Sequence, residues 1–171
     1  MSLPVLANLH LVAPSTAEAL RLWSYGAQVA VCEIDPDLAD TAALTAAFDL
    51  PLEASGNCVV VSGARGGEER VAACVVPATT RADVNTLVRK ELDVRKASFL
   101  AMDRAVSESG MEYGGITPVG LPGAWRVLVD AALLSVDVVC VGSGVRRSKL
   151  LIPGPVLAHL PGAEVVEGLG R

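Results

Sequence analysis

Residues 114–120 read GGITPVG, and four of these seven are Gly or Pro. An ordinary surface turn needs fewer chain-bending residues than this. Three glycines and a proline suit a loop whose backbone must come close to another group. Glycine carries no Cβ to hold that group away, and proline fixes the turn. Just upstream, DRAVSESG (103–110) predicts a short helix closed by Gly110 at its C-terminal end. Downstream, WRVLVD, VDVVCVG, KLLI and GAEVV predict strands, with GPVLAHL supplying a helical turn or two between the last two.

The N-terminal half has the same mixed grammar. QVAVCEI (28–34) predicts a strand. NCVVV and RVAACVV flank the charged, Gly-rich SGARGGEER (62–70), which predicts a hairpin with a longer loop. STAEALRLW (15–23) has Ser15 followed three residues later by Glu18, a capping-box spacing that predicts a helix start. DTAALTAAF (40–48) has the same helical character, and RADVNTLVRKEL (81–92) spaces Val84, Leu87, Val88 and Leu92 at helical intervals. Strands and helices mix without strict alternation, so the expected class is α+β (mixed α/β). The 171 residues suit one domain over 1–171, with a core over about 15–168.

Composition narrows the function. Hydrophobic residues make up 51% and charged residues 19%, which argues against disorder. The net charge of −5 excludes a broad electropositive face, though not a local basic patch, so no DNA partner is expected. No apolar run reaches the roughly 18 residues of a membrane helix, and the apolar N-terminus lacks the basic start of a signal peptide. Cys32, Cys58, Cys74 and Cys140 form no CxxC pair and lie in or beside apolar runs. They read as buried, reduced thiols and point to a cytoplasmic location. With only His10 and His159, a Ser-His-Asp or Cys-His mechanism has little support, and no cluster has metal-ligand spacing. No metal and no cofactor are expected.

The order of these segments resembles the YbaK family, also called the prolyl-tRNA-synthetase-associated editing domain. DRAVSESGMEYGGITPVG is similar to that family's helix leading into a Gly-x-x-x-Pro loop. VLVDAALLSVDVVCVGSGVRRSKLLI is similar to the strand, short helix, strand and Gly-containing turn that follow, PGPVLAHLPGAEVV to the closing segment, and VVPATTRADVNTLVRKELDVRKASFL to the middle. The resemblance implies a single domain with a curved, largely antiparallel sheet flanked by helices. It also implies hydrolysis of the ester between a wrong amino acid and the 3′ end of a tRNA, with the tRNA acceptor end as partner. Gly114, Gly115, Ile116, Thr117 and Pro118 would form the substrate-binding loop, since backbone N–H groups match the charge that develops on an ester carbonyl. The other reading of the loop is a tight helix-to-strand connection.

Three positions depart from the family. Its strand-opening lysine corresponds here to Asn57, which is neutral and shorter; asparagine either orients an ester or water at the catalytic position, or merely begins a strand. At VGSGVRRSKL, the family's serine corresponds to Gly142, with Ser143 one residue along beside Gly144, and its acidic position to Lys149. Arg146, Arg147 and Lys149 are the densest basic group, and read either as a phosphate or tRNA contact or as a solvated turn. Cys32 stands where relatives often carry an aromatic residue, and reads as core. Asp130, ahead of AALL, reads as a helix cap. Two functions follow: a deacylase acting in trans on mischarged tRNA, or a non-catalytic relative that binds an aminoacyl or adenosine ligand or a protein partner.

Overall fold

The structure is a computed structural model that describes residues 1–40, 44, 46 and 51–171. Its strands are β1 (Ser2–Pro4), β2 (Ala30–Glu33), β3 (Gly56–Arg65), β4 (Glu68–Pro77), β5 (Ala97–Phe99), β6 (Arg126–Asp130), β7 (Val138–Gly142), β8 (Ser148–Pro153) and β9 (Ala163–Val166). They form two sheets. One is antiparallel throughout, in the order β1-β2-β8-β7. The other, ordered β5-β3-β4-β6-β9, is antiparallel as far as β4 and parallel across β4-β6-β9. The mixed α/β class holds, and most of the pairing is antiparallel, but it is divided between two sheets instead of one curved sheet.

Side-chain alternation explains why two sheets form. Val139 and Val141 of β7, Leu150 and Ile152 of β8, and Val127 and Val129 of β6 all enter one shared core, so the two sheets pack face to face. The intervening residues point the other way. Cys74, Val76 and Leu128 join a second cluster, covered by Val88, Leu92 and Leu169. Cys140 and Leu151 join a third with Ile34, Ala39 and Leu44, on the outer face of the four-stranded sheet. Lys149 lies two residues from Leu151 and therefore shares that outer face.

Several expectations change in detail. The β3–β4 hairpin closes through Gly66 and Gly67, both at positive φ, so most of the stretch expected as a loop is strand, paired as far as Arg65↔Glu68. Helix α1 (Pro14–Leu22) starts with Pro14 in its first turn, and Ser15 is no cap: the Ser15 hydroxyl is buried without a partner. The segment after β4 opens as a π-helical turn, Val84–Val88, whose first turn is capped by Asp83, and runs into α2 (Arg89–Glu91). Helix α3 (Met102–Ser109) ends at left-handed Gly110, as expected. The helix expected over 40–48 falls largely outside the described residues. Among the described residues, no helix is long and apolar enough to cross a membrane.

Candidate active site

The two sheets meet where Ser55, just before β3, bridges to Cys140 of β7. A cleft of about 350 Å³ opens there. Residues 55–60 form one wall, Cys140–Gly142 and Lys149 a second, and Tyr113, Gly114 and Ile116 a third. Phe99, Leu100, Met102 and Ala105 complete it on the β5–α3 side, with Ala39, Asp40 and Leu44 opposite. Its volume lies near the lower end of small-ligand sites, enough for an amino acid and not for a tRNA end.

Lys149 is the chemically distinctive group. It is 6% exposed, and its Nζ donates to the Ala39 carbonyl at 2.7 Å. Burial pulls this amine below the ordinary lysine value, while Cys140, Asp40 and Cys32 push the other way. Of these, Cys140 is raised by its own burial to about 11, so it is a neutral thiol at pH 7. A buried amine is costly to keep, and a perturbed one in a cleft is a candidate functional position. Ser55 is also in the wall, 2% exposed, with its hydroxyl lacking a hydrogen-bond partner.

The sequence-derived site residues divide into two groups. Asn57, Gly114, Ile116 and Lys149 line the cleft. Gly115, Thr117, Pro118, Ser143, Gly144, Arg146 and Arg147 are not part of its lining. Gly115 is buried; a side chain there would meet the Val145 backbone at 2.8 Å, and its N–H already donates to the Glu112 carbonyl at 2.9 Å. Its lack of a side chain lets the loop pack on the turn. Thr117 is fully buried beneath the loop. The Ser143 hydroxyl pairs with the Ser148 hydroxyl and carbonyl, and the Gly144 N–H donates to the Gly115 carbonyl. These residues hold the loop in position.

The three basic residues do not form one patch. Lys149 enters the cleft, whereas Arg146 is half-buried and Arg147 exposed. Arg146 donates to the carbonyls of Tyr113, which lines the cleft, and of Pro36. Arg147 donates to the His10 carbonyl at 2.7 Å. Strand alternation separates them: β8 begins at Ser148, so Lys149 takes its direction from the sheet and the arginines from the turn. Asp130 caps the following turn through Ala132 N–H at 2.9 Å and also accepts from Gly170 N–H at 2.6 Å, as a structural role requires.

Sequence reading missed Ser55, Phe99 and Tyr113 as cleft residues. Ser55 and Tyr113 sit beside motifs already singled out, and proximity to Asn57 and Gly114 was the available signal.

Comparison with solved structures supports the same architecture. The chain is similar to the crystal structure of the hypothetical protein APE2540, with a TM-score of 0.78 and 22% identity over 92% of this chain and 99% of that one. It is also similar to the crystal structure of a candidate trans-editing enzyme for prolyl tRNA synthetase, with a TM-score of 0.76 and 20% identity over 94% of this chain and 99% of that one. At these identities the likeness speaks for the fold. The family model of the aminoacyl-tRNA editing domain matches residues 35–160, which takes in the cleft walls from Ala39 to Lys149. The chain belongs to the aminoacyl-tRNA editing domain (YbaK) family.

Proposed function

We propose that this protein hydrolyses the ester of mischarged tRNA in trans, with the aminoacyl group in the cleft between β3, β7–β8 and the 114–116 segment. The observation that carries this reading is a buried lysine amine, Lys149, facing the same small cleft as Asn57 and Gly114. Water attacks the ester carbonyl, and negative charge develops on its oxygen. A cation in a sheltered cleft stabilises that charge far better than one in water. Lys149 supplies the cation from β8, and the Asn57 amide orients the ester or the water. The Gly115 N–H, already bonded to Glu112, is not assigned to the oxyanion. In the absence of a histidine in the lining, the substrate's own ribose hydroxyl assists proton transfer.

The exposed guanidinium of Arg147 meets phosphate of the acceptor end. Free thiols at Cys32, Cys58, Cys74 and Cys140 support a reducing, cytoplasmic setting. Asn57, at the position where the resemblance implies lysine, favours a second reading: a relative that binds an aminoacyl or adenosine ligand without cleaving it. Release of amino acid from alanyl-, cysteinyl- and seryl-tRNA by the purified protein separates the two. Hydrolysis of at least one supports the enzyme, and binding without hydrolysis leaves the second reading.

A further inference from the structure

The chain has two Trp, two Tyr and two Phe. Among the described residues, Trp23 and Trp125 are buried, and Tyr25 stacks on His159 with ring centroids 4.6 Å apart. Phe99 and Tyr113 are different: they are 62% and 59% exposed, and both line the cleft. They reach it from separate parts of the chain. Phe99 belongs to edge strand β5, in register with Val61, and Tyr113 precedes the glycine loop, where Arg146 holds its carbonyl. Met102, 50% exposed, lies in the same wall. Large apolar side chains gathered at the mouth of a cleft mark a recognition surface.

The chemistry of the ligand says what meets this surface. An aminoacyl ester is joined directly to the terminal ribose of tRNA, whose base is therefore only a few bonds from the scissile carbonyl. An amino acid held against Lys149 and Asn57 puts that base beside it, toward the exposed rings of Phe99 and Tyr113. A nucleobase has two flat apolar faces, and exposed aromatic rings bind such faces by stacking.

We propose that Phe99 and Tyr113 form a stacking platform for the terminal adenine of the ligand. The proposal rests on the editing reading for the identity of the ligand, but it concerns binding and not cleavage. Stacking fixes the ribose and thereby presents the ester to Lys149 and Asn57.

The test uses the full protein and two RNA minihelices, uncharged, one ending in adenosine and one with an abasic terminal nucleotide. Affinity is measured for wild type, Phe99→Ala, Phe99→Leu and Tyr113→Ala, with melting curves to verify folding. Wild type is expected to prefer the adenosine end by about tenfold or more, and each alanine variant to lose most of that preference while binding the abasic RNA like wild type. Phe99→Leu keeps apolar bulk without a π face and should fall with the alanine variant. Equal affinity of wild type for the two RNAs, absence of binding to both, or variants that keep the full preference would each overturn the platform. Base-dependent binding by a protein that hydrolyses no aminoacyl-tRNA would uphold the platform while removing the deacylase reading.

Discussion

The Gly144 N–H donates to the Gly115 carbonyl at 2.7 Å, fastening the turn between β7 and β8 onto the glycine loop. Around this bond, Gly142 lies against the carbonyls of Gly115 and Ile116, and Gly115 against the Val145 backbone. Backbone packed on backbone leaves no room for a Cβ, so these glycines answer to one another. The cleft wall is set by this joint.

Gly142→Ala should therefore destabilise by about 1–3 kcal/mol, the usual cost of overpacking a close contact. Gly123→Ala is the control, since nothing lies within 4 Å of the added methyl group. Thermal melts of the two variants check this: a large fall is expected for the first and little change for the second.

Asp130→Ala should cost about 1–3 kcal/mol, because the Ala132 and Gly170 N–H groups lose their shared acceptor. Asp130 is not in the lining of the β3–β7 cleft. Ligand affinity of the folded variant below its melting temperature should match wild type, and a selective loss of affinity would place Asp130 in the site instead.

Arg146 and Arg147 should separate. Arg147→Ala should weaken RNA binding and reduce the salt slope by about one, as loss of one phosphate contact does, with little change in melting. Arg146→Ala should lower the melting temperature, because its guanidinium joins the Pro36 and Tyr113 carbonyls. RNA titrations at several salt concentrations beside thermal melts distinguish the two.

Much of the fold was legible because apolar periodicity is local. β2, β6, β7, β8 and β9 follow from runs such as VDVVCVG, and α3 from DRAVSESG with its Gly110 cap. β1 and β5 were missed: each has three residues, too few for a pattern, and each gains its identity from a distant partner, Cys32 for Ser2 and Val61 for Phe99. The same limit governed the site. Gly114 and Ile116 were found within the GGITPVG loop and Asn57 at the position where the resemblance implies lysine, but the separation of Lys149 from Arg146 and Arg147 depends on where β8 begins, and the packing of Gly115 on Val145 depends on a turn thirty residues away in sequence.

Lys149 should also write itself into the pH dependence of stability. Its folded-state pKa lies below its ordinary value of 10.5, so between the two the unfolded chain binds more protons. Stability contributed at this position therefore rises with pH across that window. The buried thiols act oppositely: Cys74, raised from 9.0 to about 12, and Cys140, raised to about 11, lower stability as pH climbs above 9.0. The difference between wild type and Lys149→Met isolates the lysine. Denaturant unfolding from pH 7 upward should show wild type gaining on the variant as pH rises, and a constant difference would mean that the amine titrates normally.

The most direct measurement is release of amino acid from alanyl-, cysteinyl- and seryl-tRNA by wild type and by Lys149→Met, with melting temperatures taken on the same samples. Methionine replaces a buried cation by an apolar side chain of similar length, so the variant should fold and melt close to wild type at pH 7. Wild type is expected to hydrolyse at least one substrate, and the variant to lose about 10²–10³-fold in kcat, as removal of an oxyanion-stabilising group does. An active wild type matched by an equally active, folded variant would contradict the assignment of Lys149 as the cleft's catalytic cation.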